Sequence, residues 1–196
     1  MARNSLYFII HKPFKVLSQF TDEDGNPGLG GIFDVPKDVY PVGRLDLDSE
    51  GLLILTNDKS LNNKLLNPHN SHWRTYWAEV DGIPDKKTLL NLADGIKINL
   101  KGKIHKTGKA KIKIIQPEVK DRTPTINEKK HPIRSWLEIS ITEGKNRQVR
   151  KMTAAIGHPT LRLIRVRIEE LELFPLQSGE IRQLSKNVLY KKLNLL

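Results

Sequence analysis

Cysteine is missing from all 196 residues, which excludes disulfides, zinc–thiolate centres and thiol catalysis. No apolar run approaches the roughly 18 residues that span a bilayer, and the N-terminus carries no signal-peptide pattern. The six histidines (His11, His69, His72, His105, His131 and His158) show no metal-ligand spacing, so no metal site is expected. Internal repeats and low-complexity tracts are absent as well. Acidic residues are in deficit: 22 Asp and Glu stand against 33 Lys and Arg, a net charge of +11. An excess of that size points to a polyanionic partner, nucleic acid ahead of an anionic membrane surface. A cytoplasmic protein facing nucleic acid is the expectation.

The chain opens with an apolar run, Leu6 to Ile10, that Pro13 brings to an end. Val16 to Phe20 reads as extended chain before the dense turn signal Thr21-Asp22-Glu23-Asp24-Gly25-Asn26-Pro27-Gly28. Gly28, Gly30 and Gly31 lack the Lys-Ser/Thr of a phosphate-binding loop and read as flexible linkage. A short helix is expected over Leu61 to Leu65, stopped at Asn67-Pro68. Arg74 to Val80 alternates as a strand, with Tyr76, Ala78 and Val80 on one face and Trp77 and Glu79 on the other. Pro84 opens a second helix through Leu89, Leu90 and Leu92 that Asp94-Gly95 closes.

From Lys97 to Lys113 lysines interleave with isoleucine and glycine, which reads as one strand with a basic outer face. Residues 117–132 are polar, punctuated by proline and without period, and read as a long loop. Trp136 to Thr142 alternates as another strand. The helix that follows buries Val149, Met152 and Ile156 at i, i+3 and i+7, with Arg147, Arg150 and Lys151 on its flank. Arg147 at the helix start opposes the helix dipole, a placement that aims positive charge at an anion. In Leu161 to Ile168 the alternation changes parity at Leu163–Ile164, where a bulge or a strand start is expected. Arg165 and Arg167 share the face opposite Ile164, Val166 and Ile168, in a position to contact phosphate. The tail beyond Pro175 adds an edge strand. Hairpin-like strand pairs with short helices make an α+β protein with a mixed, largely antiparallel sheet.

One stretch organises the rest: Gly43-Arg44-Leu45-Asp46-Leu47-Asp48-Ser49-Glu50-Gly51, followed at once by the apolar run Leu52 to Leu55. A polar loop feeding a strand buried on both faces places its acids at the strand's mouth. A carboxylate held by a rigid strand near basic surface is a catalytic candidate. The local pattern fits a solvated acidic turn before a core strand equally well, and by itself leaves Asp46, Asp48 and Glu50 interchangeable.

Three segments in order resemble the motifs of the RsuA-type family of ribosomal RNA pseudouridine synthases. They are Gly43-Arg44-Leu45-Asp46-x-Asp48-Ser49-Glu50-Gly51-Leu52-Leu53, Thr75-Tyr76 entering a strand, and Glu143-Gly144-Lys145-Asn146-Arg147-Gln148-Val149-Arg150-Lys151-Met152. The last continues to Gly157-His158-Pro159 and Leu163-Ile164-Arg165. Gln19 to Glu23, Asp81 to Pro84 and Pro159 to Arg165 are most similar to members acting on large-subunit RNA. The resemblance implies a single catalytic domain over residues 1–196, with its core at about 5–185, built as two lobes around a central cleft. It also implies that no small RNA-binding domain of the S4 type precedes it. Relatives usually carry glycine after the position of Ile168, where this chain has Glu169, which puts the local turn in question.

What the family does is implied in turn: a uridine is isomerised, so no atoms are gained or lost and no cofactor is called for. Asp46 corresponds to the catalytic aspartate, a nucleophile at C1′ or a base at C2′. An ionised Asp46 beside Asp48 and Glu50 requires a nearby cation, and Arg150 is the family's matching basic residue. Tyr76 matches the tyrosine that stacks on uracil. The partner implied is large-subunit ribosomal RNA presenting a flipped-out uridine to a monomeric enzyme. Arg44, Arg147, Lys151, Arg162, Arg165 and Arg167 are the candidate RNA contacts. Composition alone also allows a non-catalytic RNA-binding or ribosome-assembly module. A glycosidase using Asp46 and Glu50 ranks last.

Overall fold

The computed structural model describes residues 5–196. Its strands are β1 (Tyr7–Lys12), β2 (Tyr40–Pro41), β3 (Glu50–Thr56), β4 (Arg74–Asp81), β5 (Lys97–Leu100), β6 (Lys103–Lys106), β7 (Lys111–Ile115), β8 (Arg134–Ile141), β9 (Thr160–Ile168), β10 (Leu171–Glu172) and β11 (Ile181–Leu184). Its helices are α1 (Lys59–Leu66), α2 (Lys86–Ala93), α3 (Gln148–Ala155) and α4 (Lys186–Lys192). The protein is α+β, with mixed and mostly antiparallel strand pairing, as expected. It divides into two compact units: the chain up to His72 together with Ile164–Leu196, and Trp73–Leu163.

In the first unit β1 pairs antiparallel with β11 on one side and β3 on the other. Pro13 has no amide hydrogen to extend the ladder, so β1 stops at Lys12. β3 also carries β2, antiparallel, and meets β9 in parallel at Glu50↔Ile164 and Gly51↔Arg165. All seven residues of β3 are buried, which explains the unbroken apolar run. Asp58 caps α1 by accepting from the Ser60 amide at 2.9 Å, and the helix ends at Asn67 because Pro68 follows. The tail supplies β11, the expected edge strand.

In the second unit β4, β8 and β7 form an antiparallel meander. One face of it, with Ala78, Val80, Leu137 and Ile139, is sealed by Leu92 of α2 and Val149 and Met152 of α3. Asp85 caps α2 through the Thr88 amide, and Asp94 ends it.

Four expectations are corrected. Val16 to Phe20 is not a strand; its backbone bonds go instead to loop partners, Leu17 N–H to Pro27 O and Gln19 O from Leu29 N–H. Gly28 and Gly30 are not linkage. A Cβ at either would stand 2.5 Å from the Thr21 carbonyl oxygen or 2.6 Å from that of Phe20, so close backbone approach selects glycine. Lys97 to Lys113 is three strands, not one: β5 and β6 make a separate two-stranded sheet, and β7 joins β8. Lys101 (φ 51) and Gly102 (φ 85) turn β5 into β6, the two positive φ values of a two-residue hairpin loop. Finally, β9 starts at Thr160, so no strand start lies at Leu163–Ile164. Parity changes there because Leu163 belongs to the core of the second unit while Ile164 returns the chain to the first.

Candidate active site

The acidic stretch lies on a tight turn tied down from several sides. The Ser49 amide donates to the Asp46 carbonyl at 3.0 Å and the Lys15 amide to that of Leu47 at 2.9 Å. The Ser18 hydroxyl donates to the Leu45 carbonyl at 2.8 Å and accepts from the Leu45 amide at 2.9 Å. Loops are held with this density where side-chain geometry matters. Asp46 and Asp48 are half-buried, Glu50 is buried at the start of β3, and Arg44 is exposed.

Lys12 is the residue that sequence reasoning missed. It is fully buried, and its ammonium donates to the carbonyls of Val16 at 2.6 Å and Pro13 at 2.9 Å. Burial pushes its pKa down to about 8, against the opposing pull of Glu50, Asp48 and Asp46, and Arg165 pushes it further down. Within the first unit Lys12 is thus a cation in electrostatic reach of Asp46, Asp48 and Glu50. No periodicity could have shown this, because a lysine closing an apolar strand reads as its solvent-exposed end.

Strand register explains how two buried cations come to flank one point. Lys12 pairs with Gly51 across β1 and β3, and Gly51 pairs with Arg165 across β3 and β9. Side chains at paired positions share a face, and glycine leaves the middle position empty. Arg165 is 5% exposed, donates from Nε to the Leu52 carbonyl at 2.8 Å, and keeps a buried Nη2 with no hydrogen-bond partner. Arg167 is half-buried and lies 4.0 Å from Glu172. In the turn questioned above, Glu169 holds φ 48 with its carboxylate on His72 Nδ1 at 3.1 Å.

In the second unit Tyr76 is half-buried on β4, opposite Ile139, and packs against the apolar core. Arg150 is half-buried on α3 and donates from Nη1 to the Thr160 carbonyl at 3.1 Å. Arg147 is the residue before α3, in left-handed backbone at φ 52, exposed, with no side-chain cap bond; Lys151 is half-buried. Arg162 is 7% exposed and donates to the Lys120 carbonyl at 2.8 Å, securing one end of the 117–132 loop.

Glu143, the first residue of the third motif, organises it. Its carboxylate accepts from the Gly108 amide at 2.7 Å and from Gln148 Nε2 at 2.7 Å, and lies 2.9 Å from His105 Nε2. Burial alone would raise its pKa, but these bonds outweigh it and hold the carboxyl below its usual range.

The family model for RNA pseudouridylate synthases matches residues 6–155. The chain belongs to that family. It is an RNA pseudouridine synthase, an isomerase. Curated relatives named ribosomal large subunit pseudouridine synthase E are 43% identical in Vibrio parahaemolyticus, over 93% of this chain and 75% of the relative. The one from Xanthomonas axonopodis pv. citri is 44% identical, over 84% of this chain and 86% of the relative. Ribosomal large subunit pseudouridine synthase B of Bacillus subtilis is 39% identical over 92% of this chain and 68% of the relative. Among solved structures, one described as a pseudouridylate synthase matches with a TM-score of 0.76 at 25% identity, covering 96% of this chain and 74% of that one. The synthase fold is therefore common to both.

Proposed function

We propose that this synthase converts a uridine of large-subunit ribosomal RNA to pseudouridine, with Asp46 acting on the ribose. The observation that carries the reading is the pinned turn of Asp46, Asp48 and Glu50 with the buried ammonium of Lys12 beside it. That arrangement fixes the position of the carboxylate that either attacks C1′ or removes the C2′ proton. In the reaction the N1–C1′ bond breaks, uracil turns, C5 bonds to C1′, and the C5 proton is lost while N1 gains one, so the atoms balance without a co-reactant.

By their match to the family's motifs, Tyr76 takes the role of the residue that stacks on the uracil ring and Arg150 that of the motif's basic residue. Arg44, Arg147, Lys151, Arg162, Arg165 and Arg167 contribute positive charge toward the RNA. The uridine leaves its stack to react, at a cost of a few kcal/mol that phosphate contacts offset. The names of the relatives support large-subunit RNA as the substrate, and the +11 charge suits it. The enzyme works as a cytoplasmic monomer on this reading, and no helix among the described residues is long and apolar enough to cross a membrane.

The test is Asp46→Asn. Pseudouridine formation in a large-subunit transcript falls by at least about three orders of magnitude while affinity for the transcript stays within a few-fold. Full activity in that variant would remove Asp46 from the chemistry.

A further inference from the structure

The β5–β6 hairpin is a part of the second unit that the family motifs do not account for. From Lys97 to Lys113 the chain has seven lysines and no acid. Lys97 stands directly opposite Lys106, while Asn99 faces Ile104 on the same side of the sheet. Like charges at facing positions repel, and no acid in the hairpin relieves them. Lys97, Lys101, Lys103 and Lys106 are all exposed, and Ile104 is 68% exposed among them. The apex is Lys101 in left-handed backbone, a place better suited to asparagine or glycine. Local stability therefore does not explain these lysines.

The hairpin is nevertheless held firmly. At its base the Thr107 amide donates to the Ile96 carbonyl at 2.9 Å, and Thr107 Oγ1 accepts from the Ile96 amide at 3.0 Å. Gly95 takes φ 92 where a Cβ would run into the Thr107 carbonyl. On the inner face Ile98 is buried in the core, and His105 is tied to Glu143. The same carboxylate holds Gln148, the first residue of α3. One half-buried acid thus sets a lysine-rich hairpin in fixed relation to the helix that carries Arg150 and Lys151. A rigid, acid-free face of spaced ammonium groups around one exposed apolar side chain suits a sugar–phosphate backbone.

Resting on the proposed function, we infer that the β5–β6 hairpin is a second RNA-gripping element, contacting phosphates of the substrate RNA away from the modified uridine through Lys97, Lys101 and Lys106. The test compares wild type with the triple variant Lys97→Gln/Lys101→Gln/Lys106→Gln on a protein-free large-subunit transcript, in dissociation constants across a salt series and in steady-state rates. Three lost phosphate contacts lower the slope of log K against log[salt] by about two, and KM rises about tenfold, so that the loss falls on KM far more than on kcat. Lys86→Gln/Lys87→Gln, which removes exposed charge from α2 instead, matches wild type in slope and KM. A single Lys106→Gln, the smallest perturbation of the fold, lowers the slope by about 0.7. Unchanged slope and KM in the triple variant would overturn the inference, as would a loss seen only with protein-containing ribosomal particles. Wild type that binds the transcript with this lysine-dependent slope yet forms no pseudouridine would leave the hairpin's role standing and overturn the proposed function instead.

Discussion

Gly51 faces Arg165 across the parallel pairing of β3 and β9 so closely that a Cβ on Gly51 would overlap the Arg165 carbonyl oxygen and lie 2.7 Å from its amide nitrogen. Gly51 also takes φ 109, which side-chain-bearing residues rarely adopt. Gly51→Ala therefore meets strain and a clash with backbone that has no slack. Destabilisation of about 2–4 kcal/mol is expected from the shift of the urea midpoint. A change under about 0.5 kcal/mol would show that the two strands can separate without cost, and that glycine is not needed to keep Lys12 and Arg165 on one face.

Lys12 makes stability depend on pH in a defined window. Its folded pKa, about 8, lies below the ordinary value of 10.5, so between the two the unfolded chain holds a proton that the folded chain has released. Stability contributed by this group is thus complete above 10.5 and is lost as pH falls through about 8. Lys12→Met keeps the stem and drops the titration. The wild-type stability, relative to the variant, is expected to rise by on the order of 3 kcal/mol between pH 8 and 10.5. Denaturation curves at several pH values read this directly, and a difference that stays flat would sink it.

Asp58 works in the opposite pH range. Oδ2 accepts from the hydroxyls of Tyr7 at 2.8 Å and Tyr190 at 2.7 Å, while Oδ1 accepts from Ser60. Burial raises its pKa, but the bonds from Ser60, Tyr190 and Tyr7 prevail and hold the carboxyl well below the usual carboxylate range. The stability it contributes is present above its unfolded pKa and lost as pH falls below about 4. Asp58→Asn keeps a capping side chain but removes the doubly accepting oxygen. It is expected to cost about 2 kcal/mol near neutral pH, with the gap to wild type closing in acid. An equal gap at pH 7 and pH 3 would contradict the assignment.

How far these features could be read beforehand follows from what each residue type reveals locally. β3 was legible because Leu52 to Leu55 run on without a polar interruption, and α1 and α2 because aspartate caps and a proline mark their ends. The strands β5, β6 and β7 merged into one because lysine and isoleucine alternate in all three, and Lys101 does not look like a turn residue. Gly28 and Gly30 seemed loose because only the carbonyls they meet from Thr21 and Phe20 show otherwise. In the acidic stretch, composition left three carboxylates equivalent, and only likeness to a family singled out Asp46. Lys12 could not be found at all, since its meaning depends on β1 lying against β3 with Gly51 opposite.

Glu169 provides the last test, because there a side chain replaces the glycine expected at a left-handed position. Holding φ 48 costs a glutamate on the order of 1 kcal/mol, so Glu169→Gly would stabilise the turn if backbone strain were the whole account. The side chain, however, accepts from Asn194 Nδ2 at 3.3 Å and lies 3.1 Å from Nδ1 of a buried His72, whose Nε2 is 3.1 Å from the Lys64 carbonyl. Removing it takes away the acceptor of a buried ring nitrogen, worth about 1–3 kcal/mol. The loss outweighs the relief. Glu169→Gly is therefore expected to be less stable than wild type by about 1 kcal/mol, and Glu169→Gln, which keeps an acceptor, to fall between them. A more stable glycine variant would mean that the His72 contact contributes less than the strain it offsets, and that Glu169 stands there for a reason other than stability.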